Sequence, residues 1–448
     1  MTETSAVTKN FSSATSYLKA FELFEQNGFK SDPGWLRQLR KTAIDSFVSL
    51  GFPTMLSENW RYTNLTQLTQ TQFQLSGRPS NLSFDDIKSF LFGKEDWPRL
   101  VFINGIFYEQ LSFIKKESGI VIQNLQTALT ENSEIVKQHL NRYADFKQNA
   151  FTALNTAFFH DGAFIHLTKG KVLKEPVHLL FISTSSEPKV QLNSYRNLIV
   201  LEENAQASII DNYGSISDGQ YFNNSVTEII LQKGAQAQYH KLERESQNSF
   251  HIGMTQVNQI ESTKFFSSAI TLDGGLVRNG LNVILNGEHS ECELNGLYMI
   301  SGNEHVDNYT LIDHPKPNAK SRQVYKGILA GKSTAVFSGK VFVHENAQKT
   351  DASQTNKNLL LSKHATVNTK PQLEIFADDV KCTHGAAVGQ LEDEAIFYLK
   401  TRGIDERSAS RLLSYGFAGE VIDTIQIEPV KQELNRILSE KLDGDLAN

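Results

Sequence analysis

The sequence predicts a mainly β protein whose centre is a parallel β-helix lying between helical ends. Residues from about 160 to 390 form short β-rich runs punctuated by Gly, Asn and Asp, without a convincing amphipathic helix. Within this part a short pattern repeats, and helical periodicity is found on both sides of it. Repetition of a small β-rich unit is typical of a solenoid.

The repeat is the most specific of these observations. Residues 199–207 recur as residues 229–237, displaced by 30 positions, and residues 342–348 and 359–367 are looser copies of the same apolar triplet, polar turn and alanine. Such a unit cannot bury its own apolar face, so neighbouring copies must stack into one continuous core. The short strand runs rule out an α-solenoid, and the scarcity of Asn-Gly and Asp-Gly hairpin turns argues against an antiparallel sandwich.

The first 150 residues are predicted to form a mainly helical N-terminal domain. Apolar residues follow helical spacing from about residue 13 to residue 50, and residues 84–91 and 133–140 fit two further short helices. Residues 100–108 are predicted to form a strand pair that bends at its central Asn-Gly.

The β-helix core, assigned to residues 151–390, is followed by a C-terminal helical domain of residues 391–448. Residues 393–402 carry acids in their first turn and bases in their last turn, which complements the helix dipole. Gly403 is suited to end this helix, and Asp405 is placed to cap the next one.

The remaining C-terminal residues are predicted to continue as amphipathic helices. Four apolar residues of the second helix are expected on one face: Ala409, Leu412, Leu413 and Phe417. Residues 420–425 and 429–442 are expected to supply the last helices. We expect these helices to cover the end of the β-helix, because an uncovered strand edge invites the addition of another strand.

Composition excludes several classes of function. Of the 448 residues, 40% are hydrophobic and 21% charged, and no apolar run is long enough to span a bilayer. A formal charge of −6 and the absence of a basic cluster make nucleic acid an unlikely partner. The chain has no Gly-rich phosphate-binding loop, so any ATP is expected on another subunit. Two cysteines and no visible secretory signal predict the cytoplasm.

Cys382 and His384 are the first candidates for chemistry. If residues 373–384 form a strand, the side-chain period of two places both groups on one face, where they could reach one metal ion. One thiol and one imidazole cannot complete a closed zinc site, which takes about four ligands. Either another chain supplies the rest, or Cys382 is a small core residue beside a hydrogen-bonded histidine, which residue types alone favour.

Other candidates carry less weight. His305-x-Asp307 and Asp313-His314 pair an imidazole with a carboxylate, but such short pairs are common by chance. Neighbouring residues of a strand point to opposite faces, so Asp378 and Asp379 cannot easily act on one atom. Cys292 stands between two acids, which would raise its pKa and make it inert.

Several other stretches are as distinctive as the Cys-Thr-His run. They are residues 57–65, 153–157, 161–162, 304–307, 325–328, 335–339, 347–352, 356–362 and 396–404. Together with residues 369–390, they resemble the SufB/SufD family of the SUF iron–sulfur cluster assembly machinery. The resemblance extends over nearly the whole chain, with only the first few tens of residues undiagnostic.

The resemblance is to the SufD members, because SufB-like chains carry their scaffold cysteine near Asn356 and lack the Lys-Cys-x-His-Gly run. It implies a right-handed parallel β-helix flanked by an N-terminal α/β region and a C-terminal α-helical region. Cys382 and His384 match the family's Cys-x-His-Gly element, in which the histidine helps to build a nascent iron–sulfur cluster. Residues 313–321 lack a cysteine that some relatives have there.

The resemblance also implies partners. SufB is expected to pair through the C-terminal strands and to offer a cysteine across the interface. The nascent cluster is then transient and shared with SufB, and none is tightly bound by this chain alone. The ATPase SufC is expected to dock on the C-terminal helices, at Phe397, Arg402, Leu412, Leu413 and Phe417. The chain is accordingly expected to be a scaffold subunit and not an enzyme.

Two other functions stay open at this point. Parallel β-helices also act on polysaccharides through clustered Asp, Arg or Lys, although no charged cluster repeats in register along this sequence. A purely structural homodimer, formed by pairing of free edge strands, is the other alternative.

Overall fold

The computed structural model describes residues 17–25, 32–75, 82–185 and 190–444, and two ten-stranded sheets dominate it. The helices are α1 (17–25), α2 (Gly34–Leu50), α3 (Thr66–Gln70), α4 (Phe84–Ile87), α5 (Leu125–Glu131), α6 (Ser133–His139), α7 (Ala150–Phe158), α8 (Asp393–Thr401), α9 (Glu406–Ile422) and α10 (Glu428–Asp443). The strands are β1 (Phe73–Leu75), β2 (Arg99–Ile103), β3 (Ile106–Phe107), β4 (Ile120–Asn124), β5 (Ala163–Leu167), β6 (Val177–Ser183), β7 (Val190–Leu201), β8 (Gln206–Ser215), β9 (Tyr221–Leu231), β10 (Gln236–Arg244), β11 (Phe250–Gln259), β12 (Lys264–Asp273), β13 (Leu276–Leu285), β14 (Glu291–Ile300), β15 (His305–His314), β16 (Lys320–Leu329), β17 (Thr334–Val343), β18 (Asp351–Leu360), β19 (Thr366–Ile375) and β20 (Lys381–Gly389).

The predicted parallel β-helix is confirmed. From β5 onward, odd-numbered strands form one sheet, the odd sheet, and even-numbered strands form the other, the even sheet, so each coil adds one strand to both. Ile199 pairs with Ile229 and Ala207 pairs with Ala237, so the repeat seen in the sequence is one full coil.

The two looser copies of the repeat lie at different corners of the coil. Residues 342–348 connect β17 to β18, the same kind of corner as residues 199–207. Residues 359–367 instead connect β18 to β19, so this copy belongs to the opposite corner. Both corners must turn the chain over a buried alanine, which explains why the two patterns are alike.

The corner between odd and even strands contains a residue with positive φ in successive coils. These residues are Asn204, Gly234, Ser262, His289, Asn318 and Lys349. The left-handed conformation suits Gly and Asn and is disfavoured for other residues. The backbone of the coil therefore imposes this conformation at the corner even where Ser, His or Lys occupies it.

The N-terminal region is joined to the solenoid at its first end. Strand β2 extends the even sheet beside β6, and β4 extends the odd sheet antiparallel to β5. Helices α2 and α7 pack on the outer face of the odd sheet, where Phe47 and Phe158 contribute to a buried apolar cluster. The domain boundaries near residues 150 and 390 stay predictions, but strands from the first 150 residues already belong to both sheets.

Several N-terminal predictions are confirmed and others need correction. Residues 100–108 form the expected β2–β3 hairpin, with positive φ at Asn104 and Gly105. The long helical stretch is two helices, α1 and α2, and residues 13–16 and 26–31 lie outside the described residues. The helix expected over residues 84–91 is α-helical only in α4, because its last turn tightens to a 3₁₀ helix at Lys88–Phe90.

The prediction that the C-terminal helices cover the end of the β-helix is wrong. Helices α9 and α10 lie across the outer face of the even sheet, where Val421 and Leu438 pack with Leu297 and Ile328. That outer face carries apolar residues in successive strands and needs a cover of its own. Residues 420–425 are not a separate helix but the end of α9 and the turn after it. None of the described helices is both long enough and apolar enough to cross a bilayer.

Candidate functional site

Both sheets finish at a free edge at the C-terminal end of the solenoid. Among the described strands, β19 pairs only with β17, and β20 pairs only with β18. We call this end, formed by β19 and β20, the open end. A strand edge without a neighbour presents unpaired backbone donors and acceptors, so it can accept a strand from another chain.

Cys382 and His384 lie on β20 in the row of side chains that faces the interior. Cys382 pairs with Ala352 and His384 with Gln354, and both of these β18 residues are buried. The prediction that 382 and 384 share a face is therefore confirmed, but residues 373–384 are not one strand, because β19 ends at Ile375 and β20 begins at Lys381. Cys382 packs against the interior core, whereas His384 is exposed because no further coil covers it.

The Cys382 thiol is not activated within this chain. Burial raises its pKa, and nearby Asp351 adds to the rise, against a backbone hydrogen bond involving Ala352 that lowers it. Among the described residues, no group of three or more His, Cys, Asp or Glu side chains is close enough to hold a metal ion. Any metal bound at His384 therefore needs ligands from elsewhere.

The second cysteine is further from reactivity. Cys292 is buried in the interior core of the solenoid. Burial raises the pKa of its thiol well above the usual range, and Glu293 adds to the effect. The predicted rise of this pKa is thus confirmed, with burial rather than the neighbouring acids as the larger cause.

The imidazole–carboxylate pairs of the sequence are used in structural contacts. Thr63 donates to Asp307 and lies 3.1 Å from His305 Nε2. Asp313 does not pair with the histidine next to it, because it contacts His344 Nε2 at 2.8 Å. His314 faces the interior and lies 2.9 Å from the Ser321 hydroxyl. These groups are not brought together with His384 into one site.

The two neighbouring aspartates at the last corner are exposed, and Asp379 forms an ion pair with Lys349. Both carboxylates are therefore solvated charges beside a turn. Neither carboxylate is part of a metal-holding group within the described residues.

The residues expected to dock the ATPase divide into an exposed set and a packed set. Phe397 on α8 is 69% exposed and Leu412 on α9 is 48% exposed, and Arg402 donates to the hydroxyl of Tyr398. Leu413 is half-buried, and Phe417 packs on the helix–sheet cluster with Lys326 Nζ 4.5 Å from its ring. The expected single face is therefore wrong, because Ala409 is buried while Leu412 is exposed.

Two exposed aromatic residues near this surface were not anticipated from the sequence. Tyr398 is the neighbour of Phe397 on α8, and Tyr415 lies one turn beyond Leu412 on α9. In α8, which is described throughout, no residue is buried. A helix that carries large apolar side chains but has no buried residue is unusual, and it indicates a contact surface.

A buried charged cluster inside the solenoid was also missed. Lys241 Nζ lies 3.0 Å from Glu243 Oε1 and 3.1 Å from His251 Nε2, and His251 Nδ1 lies 2.7 Å from Glu245 Oε2. Burial raises the pKa of nearby Asp211 to about 6, against the attraction of Lys241. Strand parity could have found Lys241 and Glu243, since both occupy inward positions of β10.

The N-terminal segment is held on the outer face of the odd sheet. The Arg278 guanidinium stacks on the Trp60 ring at 3.9 Å and forms a buried ion pair with Asp307. Glu58 pairs with Lys370 on β19. Residues 57–65, distinctive in the sequence, therefore reach the last coil of the solenoid.

Comparisons with known proteins agree over the same regions. A family described as "SUF system FeS cluster assembly, SufBD core domain" matches residues 181–417, and one described as "SufBD protein N-terminal region" matches residues 11–179. An iron–sulfur cluster assembly SufBD family protein of Synechocystis is 35% identical over 89% of this chain and 90% of its own length. The iron–sulfur cluster assembly protein SufD of Escherichia coli is 33% identical over 94% of this chain and 96% of its own length. SufD of Bacillus subtilis is 26% identical over 95% of this chain.

Proposed function

The chain belongs to the SufBD family of iron–sulfur cluster assembly proteins, and we propose that it is a non-catalytic scaffold subunit that pairs with SufB and docks SufC. The observation that carries this proposal is the position of His384. It is an exposed imidazole on the inner row of β20, at a sheet edge that has no neighbour among the described strands. A partner strand added there would lie directly beside it.

We assign the open end to SufB. Two free strand edges lie side by side there, so a partner with a similar end could continue both sheets through backbone hydrogen bonds. The same edges could pair with a second copy when the chain is isolated. SufB and a second copy therefore compete for one surface.

We propose that the nascent cluster, the cargo of this site, binds His384 and a thiolate of SufB. Iron accepts imidazole and thiolate ligands together, and the described residues alone offer no complete ligand set. The raised pKa of Cys382 keeps its thiol protonated in the isolated chain. Cys382 would become a ligand only if the partner brought positive charge or iron to it. A site divided between two chains can release its cluster when the interface opens.

We assign SufC docking to α8 and the exposed side of α9. Phe397, Tyr398 and Leu412 present exposed apolar surface, and the Arg402 guanidinium lies against Tyr398. Aromatic and arginine residues commonly dominate the binding energy of protein interfaces. The half-buried Leu413 would contribute at the margin, and Phe417 would act by holding α9 against the sheet. A cytoplasmic location, expected from two free cysteines, stays a prediction.

Purification of the tagged full-length chain from its native host tests this assignment. We expect SufB and SufC to copurify in fixed ratio, with a molar mass measured by light scattering that fits a heteromeric complex. Recovery of the chain only as a homodimer, from cells that express all three proteins, would contradict the scaffold role and favour the structural alternative.

A further inference from the structure

A line of polar side chains runs inside the solenoid toward the open end. Gln323 Nε2 donates to the Thr310 hydroxyl at 2.7 Å, and Gln354 Nε2 donates to Gln323 Oε1 at 2.7 Å. All three residues are about 1% exposed. In the even sheet, Gln323 pairs with Gln354, and Gln354 pairs with His384. The imidazole is thus the next member of the same inner row.

The line of amides has a direction. Gln354 donates from its amide nitrogen to Gln323, so its carbonyl oxygen is the last acceptor in the line. This Oε1 atom is buried and has no hydrogen-bond partner among the described residues. A buried acceptor without a donor is costly, and native proteins normally provide one. His384 pairs with Gln354 on the neighbouring strand, and its ring offers an N–H in the same inner row.

The opposite sheet leaves room for this arrangement. Gly339 on β17 lies across the interior from Gln354, and a Cβ added to Gly339 would lie 2.4 Å from Gln354 Nε2. Gly339 is in the same row of the odd sheet as Thr310, and Pro371 follows it in β19. The coil before the last is therefore shaped to let the Gln354 amide extend across the interior.

We propose that Gln354 is a positioning residue for His384: its Oε1 accepts a hydrogen bond from one ring nitrogen and leaves the other, without a proton, directed at the partner edge. A neutral imidazole has one donor and one acceptor nitrogen, and the partner of the donor fixes which nitrogen can bind a metal. The hydrogen bond is a property of this chain alone. Only its use in holding the cluster rests on the proposed function.

The hydrogen bond can be tested on the isolated full-length chain labelled with ¹⁵N-histidine, where His384→Asn assigns the signals of residue 384. We expect the wild-type ring to show one dominant tautomer in its ¹⁵N shifts. Gln354→Met keeps the length of the side chain and removes the acceptor, so the two ring nitrogens should move toward averaged shifts. Gln354→Glu keeps an acceptor and should preserve one tautomer. Unchanged shifts in Gln354→Met would overturn the proposal.

The matched control is Gln259→Met, which changes another buried glutamine, on β11 far from the open end. It should leave the His384 signals unchanged, so a general loss of stability is not mistaken for loss of positioning. In the assembled complex, Gln354→Met should lower cluster content at least fivefold and Gln354→Glu should restore much of it. Normal cluster content in Gln354→Met despite altered shifts would overturn the positioning role. Failure of the proposed function would instead appear as normal cluster content in His384→Asn.

Discussion

Glu58 and Lys370 form an ion pair that joins the N-terminal segment to β19, the last strand of the odd sheet. In the same segment, Trp60 stacks on the Arg278 guanidinium and the Thr63 hydroxyl donates a hydrogen bond to Asp307. One short segment therefore connects the N-terminal region to three strands of the odd sheet, β13, β15 and β19. A change in the N-terminal region can for this reason reach the surface assigned to SufB.

Asp307→Asn should be strongly destabilising. The change leaves the nearly buried Arg278 guanidinium without its counter-charge, which typically costs about 3–5 kcal/mol. Asp313→Asn is the matched control, because its pair with His344 is partly exposed and should contribute only about 0–1 kcal/mol. Urea unfolding of both variants measures the difference, and equal losses would show that the Arg278–Asp307 pair does not hold the segment.

His384→Asn should fold, assemble with both partners and lose cluster formation in cells, since the imidazole is an exposed side chain on a strand edge. His289→Asn is the control, because His289 is exposed at a corner where the left-handed backbone suits Asn. Iron and sulfide content of the purified complexes measures the effect. Cluster content equal to that of the control would remove His384 from the site.

Cys382→Ser should be milder than the histidine substitution. Placing a hydroxyl at this half-buried position costs on the order of 1–3 kcal/mol if the hydroxyl finds no partner, and cluster formation should persist. Because burial raises the pKa of its thiol, Cys382 should react more slowly with iodoacetamide near neutral pH than a fully exposed cysteine does, and its reactivity should rise only at a more alkaline pH than that of an ordinary thiol. Rapid neutral labelling of the folded chain would contradict this environment.

Phe397→Asp should weaken SufC binding at least tenfold, about 1.4 kcal/mol or more, without changing the unfolding free energy. The side chain is 69% exposed and contributes little to the fold. Leu23→Asp is the control for a new surface charge, because Leu23 is 65% exposed on the outer side of α1. Deleting residues 405–448 is a poorer test, since it would uncover apolar residues of the even sheet such as Leu297. Unchanged affinity in Phe397→Asp would place docking elsewhere.

The contribution of His314 to stability should fall as the pH drops below about 6.5. Burial lowers the pKa of His314 to about 4, so the unfolded chain binds a proton there before the folded chain does. Folding stability from this group is present above pH 6.5 and is lost on the way down to pH 4, by roughly 2 kcal/mol between pH 6.5 and 5. His314→Gln should flatten this part of the unfolding free-energy profile, whereas His289→Asn should not. Parallel profiles for wild type and His314→Gln would refute the assignment of this pH dependence to His314.

The fold class could be predicted because every coil of a solenoid repeats the same pattern of strands, corners and buried residues. Ile199 and Ile229 occupy equivalent interior positions on neighbouring strands, and the residues between them form one coil. The shared face of Cys382 and His384 followed from strand parity alone. These are local relations, and they do not depend on how distant elements pack.

The position of the C-terminal helices could not be predicted for the opposite reason. Strands buried on both faces have nearly continuous apolar runs, so Leu297 and Ile328 do not reveal that they face outward and need a cover. Lys241 is a different case, because strand parity places it in the same inner row of β10 as Tyr239. The line from Thr310 to Gln354 joins three different strands, and no spacing in the sequence marks it.

The open end also has a consequence for motion. A solenoid is stabilised coil against coil, and its terminal coil is held by one neighbour where interior coils are held by two. The free energy needed to open β19 and β20 should therefore be lower than that of the interior coils, and hydrogen exchange should be faster there than in those coils. Cluster transfer would then take place at a part of the solenoid that opens more easily than its interior. A partner strand that pairs with β19 or β20 would stabilise this coil and, through it, the coils behind it.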